Sequence, residues 1–413
     1  MIISVNIRHR QGLEIAPTRF QHGISLIEIM VAMVIDILLL LLITAYIIQQ
    51  SNMRNELEKT TLQMENGRYA MYLIQQDINH AGFYGTWESP IVSISSTPPD
   101  PCDVNPEIPD SSTDLVNSNM TLVYPVQGYN KTNPLSCLPD YKTGTDIFVV
   151  RRVDTAGTIT TPVANELYLQ ASSTSEASPF DRNLGIQNAD LQNGDPTSFA
   201  LGSLNSDNSI YNNNPGTKAD GTTATILKKA NVANPSYLNT TPRIAADIHK
   251  FHVHIYFISP CSVATGSASD PSGINPSCQS TDDNGNPIPT LKRLELTSVN
   301  GTRQFKLVPL VEGIENIQLD YGFDRDFDGS PDSTFLTAPT ASDWTNIVVV
   351  KVSILSRNVE KTSLCPSTNP PAYCTNVYYL GLNGKVGPFT DGYKRHVYNE
   401  TVILANPVKR RSQ

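Results

Sequence analysis

HGISLIEIMVAMVIDILLLLL, His22 to Leu42, decides how the rest of the chain is read. The apolar run continues to Ile48. As a helix from Ile24 it is about 37 Å long, enough to cross a hydrocarbon core of about 30 Å. Two acids, Glu28 and Asp36, sit inside it. An unpaired carboxylate at the bilayer centre costs about 2.5–3.5 kcal/mol on insertion scales, so each needs a reason. The residues ahead are polar and basic, as a flank kept on the cytoplasmic side should be. A secretory signal would follow its apolar core with a small-residue cleavage site. Here the chain runs on into QQSNMRNELEKTTLQMENGRYAMYLIQQDINHAG, Gln49 to Gly82, which reads as more helix.

Periodicity supports that continuation. Met53, Leu57, Met64, Met71, Ile74, Ile78 and Ala81 recur at three-, four- and seven-residue steps and form the expected buried stripe. Arg54, Glu58, Lys59, Glu65, Arg68 and Asp77 are expected mostly off it. One helix therefore spans about Ile24 to His80, with Gly82 and Gly85 ending it. Its first half, 24–48, is apolar all round; its second half, 49–82, has one face to bury against a head formed by 83–413.

These residues carry a resemblance. Gly23, a bulky apolar residue, Glu28 five residues after the glycine, and then some twenty apolar residues resemble the class III signal of type IV prepilins. The resemblance implies cleavage by prepilin peptidase between Gly23 and Ile24, so that 1–23 is a leader and Ile24 becomes a methylated N-terminus. It also implies that Glu28 meets the N-terminal amine of a neighbouring subunit, which fits the need of a buried acid for a cation. ENGRYAMYLIQQDINHAGFYG (Glu65–Gly85), LVEGIENIQLDYGFDRDFDG (Leu310–Gly329), WTNIVVVKVSILSR (Trp344–Arg357) and DGYKRHVYNETVILAN (Asp391–Asn406) are similar to PilW-type minor pilins. The leader is long for that family, and Asp36 stands where relatives carry a small or apolar residue. Asp36 is expected to face a cation or polar group on another subunit.

Composition bounds the remainder. Net charge is −9; Arg8, Arg10 and Arg19 against Glu14 put +2 in the leader, leaving −9 − 2 = −11 on the processed chain. Such a surface disfavours nucleic acid. Cys102, Cys137, Cys261, Cys278, Cys365 and Cys374 form no metal-binding spacing. In an exported chain they are expected as disulfides between nearest neighbours.

Beyond Gly85 the chain reads as strands: 120–126, 146–153, 166–172, 250–259, 293–299, 315–323, 346–355 and 395–404, most of them alternating. The expected fold class is α+β and pilin-like: a long N-terminal helix covering one face of an antiparallel sheet. A Ser/Asn/Thr/Gly-rich insert at about 171–245 reads as a surface excursion with a strand or two. Asp324, Asp326, Asp328, Ser330 (through its carbonyl) and Asp332 match positions 1, 3, 5, 7 and 9 of a calcium loop around Gly329. Position 12 is Phe335 instead of a bidentate Glu, and an acidic hairpin turn would use the same Asp-Gly. In HKFHVHIYF, His252 and His254 share one strand face and are expected on solvent. The basic end at Lys409 to Arg411 reads as a solvated tail.

No nucleophile elbow, phosphate loop or metalloprotease helix is present, so the expectation is a structural subunit and not an enzyme. The resemblance implies a minor pilin held in the inner membrane with its head in the periplasm, then built into a surface pilus. Its implied partners are other minor pilins, the major pilin, prepilin peptidase and a tip adhesin. A minor pseudopilin of a type II secretion pseudopilus, or a tip-located adhesive subunit, shares the same signal and fold.

Overall fold

The computed structural model describes residues 25–85, 98–104, 124–157, 159, 163, 165–171, 199–204, 210–211, 247–267, 275–332, 334–362, 365–366 and 368–411. Gly23, Ile24, the rest of the leader and most of the 171–245 insert lie outside them. The chain divides into two compact units, Met1–Leu57 and Glu58–Gln413. Helix α1, Leu26–Asn79, supplies residues to both.

In the first unit the helix exposes its apolar side chains from Leu26 to Ile48, along with Met53 and Leu57. It is long and apolar enough to cross a membrane by length and composition.

Among the described residues the second unit is built on fourteen strands: β1 (Val126–Tyr129), β2 (Ile147–Val153), β3 (Tyr168–Ala171), β4 (Phe199–Leu204), β5 (Ile210–Tyr211), β6 (Ile248–Ser259), β7 (Thr290–Val299), β8 (Thr302–Glu312), β9 (Ile314–Phe323), β10 (Phe335–Leu336), β11 (Ile347–Arg357), β12 (Tyr378–Tyr379), β13 (Lys385–Val386) and β14 (Arg395–Ile403). The α+β class with an antiparallel head holds, but one sheet becomes two. The larger runs β1-β2-β6-β3-β4-β5, with β7 on β6 and β8 on β7; the smaller runs β10-β9-β11-β14; β12 and β13 form a separate ribbon. Every pairing among them is antiparallel.

The tight turn at Gly313 explains the split. Its φ of 75° lets β8 hand the chain to β9 in the second sheet, and a Cβ there would meet the Arg357 carbonyl. Strand β9 is then buried at every position. Ile317, Leu319, Tyr321 and Phe323 join α1 residues Ala70, Met71, Ile74 and Ile78 in the main core. Its alternate polar residues are covered from the other side: Gln318 donates to the Gly144 carbonyl (2.9 Å), and the Asp320 carboxylate accepts from Leu382 N (3.2 Å). A second core, including Val149, Phe251, Val253, Ile255 and Leu294, lies on the far face of the large sheet.

Three disulfides join nearest neighbours: Cys102–Cys137, Cys261–Cys278 and Cys365–Cys374. The candidate strand at 120–126 meets β1 only at Val126, and residues 120–123 lie outside the described set. Strand β8, hidden by Pro309 and Lys306, was not anticipated. Strands β4 and β5 lie inside the polar insert. The basic tail is a helix, Ala405–Arg411, whose Asn406 amide reaches the Ala81 carbonyl at the end of α1.

Candidate functional site

The start of α1 answers the question raised by Glu28. Ser25 N donates to Glu28 Oε2 (2.9 Å), while Ile27 N donates to Ser25 Oγ (3.4 Å). Ser-x-x-Glu is thus a capping box: the carboxylate satisfies a backbone donor that the first helical turn leaves open. Its negative charge also sits at the positive end of the helix dipole. Asp36, about two turns further on, has no partner among the described residues and is exposed.

In the second unit the buried side of α1 keeps Met71, Ile74, Ile78 and Ala81 of the expected stripe and departs from it at Met64 and in its polar and small members. It consists of Gln63, Gly67, Ala70, Met71, Ile74, Asp77, Ile78 and Ala81. Met64 is exposed at the rim of this face, and Met53 and Leu57 are exposed in the first unit. The correct face begins with small and polar residues because strand residues approach the helix axis closely there. A Cβ on Gly67 would fall 2.6 Å from Tyr398 Cζ and 2.8 Å from its Cδ2. The Tyr398 hydroxyl donates to the Met64 carbonyl (3.3 Å), and Gln63 Nε2 donates to the carbonyls of Ser356 (3.0 Å) and Lys394 (3.1 Å). The ENGRYAM and KRHVYNE blocks are therefore two sides of one joint.

Asp77 makes the deepest polar contact of the helix. Its carboxylate accepts Arg152 Nε at 2.6 Å on Oδ1. On Oδ2 it meets His254 Nδ1 at 2.7 Å and accepts the Tyr256 hydroxyl at 2.8 Å. Arg293 reaches the same hydroxyl (3.2 Å) and pairs with Glu295. Burial works against the Asp77 charge, but His254 and Arg152 override it and hold the carboxyl well below its usual range. Burial dominates for His254 and pushes its pKa down against the pull of the acid, while Nδ1 carries the hydrogen that faces Asp77. The expectation of solvated histidines is corrected. His254 is buried against the helix, and His252 bonds Asp154 at 2.6 Å. Alternation misled because this face of β6 meets a helix carrying an acid, not water. The spacing of Asp77, three after Ile74 and four before Ala81, was the signal that would have found it.

A second buried carboxylate ties the sheets together. Asp146 accepts Lys131 N (3.0 Å) and Leu319 N (2.8 Å), and its own N donates to the Ile317 carbonyl (2.9 Å). Burial pushes its pKa up to about 7 despite those two donors.

The acidic loop converges in part. Asp324, Asp326 and Asp328 bring carboxylate oxygens within 4.8 Å of one another. Asp324 is buried and accepts Asp328 N (3.1 Å) and Gly329 N (3.2 Å); Asp328 accepts Ser330 N (2.7 Å). Asp332 instead faces Arg325 Nη1 at 3.7 Å, and Phe335 pairs with Gly322 in β10. Calcium wants six to eight oxygens, so the loop offers three carboxylates and a fourth already shared with a guanidinium.

A groove of about 250 Å³ opens between α1 and the C-terminal segments, lined by Gln63, Met64, Tyr378, Phe389, Tyr393 and His396 among others.

Together these features define a chain with an exposed apolar helical segment and, in its second unit, an antiparallel head packed on the helix from Gln63 onward. Residues 279–406 match the family model of PilW, Type IV pilus-assembly protein W, and the match supports a type IV pilus-related protein. It covers β7 to β14, including the Tyr398 side of the joint, and not the helix. No curated protein matches the chain.

Proposed function

We propose that this chain is a minor pilin, a non-enzymatic subunit that primes or supports type IV pilus assembly. Prepilin peptidase cuts it between Gly23 and Ile24 and methylates Ile24. It waits in the inner membrane with its head in the periplasm and then joins other minor pilins, the major pilin and a tip adhesin. The observation that carries this reading is α1. Its exposed apolar half carries a capped acid near the start, and its other half is locked to a head resembling a pilus-assembly family.

The reading also gives Glu28 two states. Before assembly the Ser25 backbone partners it; in a filament the amine of a neighbour replaces that bond. Deleting the gene should abolish or sharply reduce surface pili, and the intact chain should restore them. Glu28→Ala should reach the membrane in normal amount but enter pili poorly. Normal piliation without the gene removes the reading.

A further inference from the structure

The head holds α1 at two places. Asp77 and the apolar residues around it hold its end, and a separate set of contacts meets its first turns in the second unit. Lys59 Nζ donates to the Lys361 carbonyl (3.0 Å) and lies 3.3 Å from Glu360 Oε2. Thr60, Gln63 and Met64 then form one wall of the groove of about 250 Å³. Cys365, Cys374 and Tyr378 belong to the facing wall, so the Cys365–Cys374 disulfide is part of this hold. Neither of the other two disulfides lines the groove.

The segment carrying the bond is fixed at both ends. It leaves β11 at Arg357, and Asn358 N and Thr362 N tie it to the carbonyls of Lys394 (3.1 Å) and Gly392 (3.0 Å). It joins β12 at Tyr378, which pairs with Val386 and sets its ring 6.2 Å from that of Phe389. Between those ends, Cys365 N, Cys374 N and Thr375 N donate to the carbonyls of Thr362, Pro371 and Ala372, each three residues back, so these bonds turn the segment on itself. The disulfide takes nine residues out of the path between Thr362 and Tyr378. A short path has little freedom to leave the helix, and opening the bond restores that freedom.

The sulfurs are also placed for exchange. Both cysteines are nearly buried, and the groove is the way to them. Lys394, Arg395 and His396 line it as well, and basic neighbours favour the thiolate that departs when a disulfide is attacked.

We propose that the Cys365–Cys374 disulfide is a redox-operated strap on α1. Closed, it keeps the 362–378 segment against Thr60, Gln63 and Met64. Opened by an external dithiol, it releases that segment and loosens the first turns of α1 in the head, while the Asp77 end stays docked. The strap is a property of the head and does not depend on the minor-pilin reading.

Titrating the full chain in detergent with dithiothreitol, under native conditions, tests it. A thiolate of the reagent attacks one sulfur, and the other sulfur leaves and takes a proton. The reagent's second thiol then closes its own disulfide, so Cys365 and Cys374 end as thiols. Differential alkylation reads each cysteine pair, and hydrogen exchange by mass spectrometry reads α1. Cys365–Cys374 should open while far-UV circular dichroism stays native. Amides of residues 60–66 should then exchange at least threefold faster, and those of 70–79 should be unchanged. Oxidised glutathione should restore both the bond and the slow rate. The double variant Cys365→Ser/Cys374→Ser should show the fast rate without reductant, and Cys102→Ser/Cys137→Ser the slow one. A bond that opens only as the chain unfolds, unchanged exchange at 60–66 once it is open, or equal acceleration across 60–79 overturns the proposal. If the double variant fails to fold, the wild-type titration decides alone.

Discussion

Asp77→Ala is the sharpest perturbation of the joint between helix and head. The side chain is 4% exposed and accepts from three groups at 2.6–2.8 Å. After truncation, Arg152 can turn partly to water, but His254 and Tyr256 remain buried without their acceptor. Each orphaned buried group costs about 1–3 kcal/mol, and removing one partner of a buried ion pair costs about 3–5 kcal/mol. These describe overlapping parts of one loss, so the expected total is about 3–5 kcal/mol, a large share of a typical stability of about 5–15 kcal/mol. Asp77→Asn keeps one acceptor oxygen and should lose less. The assay is urea unfolding of the detergent-solubilised full chain, followed by tyrosine fluorescence and far-UV circular dichroism. The double variant Asp77→Ala/His254→Ala should be less destabilised than the sum of its parts, because each single change strands the other group. A loss below about 1 kcal/mol for Asp77→Ala, or strict additivity, would refute the buried network as the clamp.

Gly67→Ala should destabilise by about 1–3 kcal/mol although alanine normally favours a helix by about 0.5–1 kcal/mol, and Tyr398→Leu should relieve most of that loss; unfolding curves of the three variants check it. Asp146 has a folded pKa raised to about 7 from 3.8. Its contribution is therefore fully present below the unfolded value and is lost as pH rises towards 7. The stability advantage of wild type over Asp146→Asn should shrink from pH 4 to pH 8, and a pH-independent difference contradicts the raised pKa. Calcium should bind the three-carboxylate loop weakly, with a dissociation constant of about 10⁻⁴–10⁻³ M, and Asp326→Ala should abolish the calorimetric heat; equal heats in both chains remove the ion.

The long helix was legible because its apolar run and Gly82 are local signals. Strands β2, β6, β9, β11 and β14 were legible for the same reason, and adjacency anticipated the three disulfides. On α1 the stripe holds at Met71, Ile74, Ile78 and Ala81, but it took in Met64 and missed Gln63, Gly67 and Asp77, because methionines outweigh a glycine and an aspartate on any hydrophobic scale. Close packing of Tyr398 and a salt-bridged acid are properties of what lies opposite, which a helical pattern does not contain. His254 was misplaced for the same reason. The separation into two sheets turned on Gly313, a turn signal whose tertiary consequence is set by the surface waiting beyond it. Gly23 and Ile24, which the resemblance makes decisive, lie outside the described residues, so chemistry must test them.

Intact-mass and N-terminal peptide analysis of the chain purified from cell envelopes addresses the central claim most directly. A processed pilus-assembly subunit should begin at Ile24, lack residues 1–23 and carry one added methyl group on its N-terminus, with the precursor accumulating when prepilin peptidase is absent. An envelope-bound chain that keeps its leader, or is cut on the far side of the apolar helix beyond Ile48, contradicts the account.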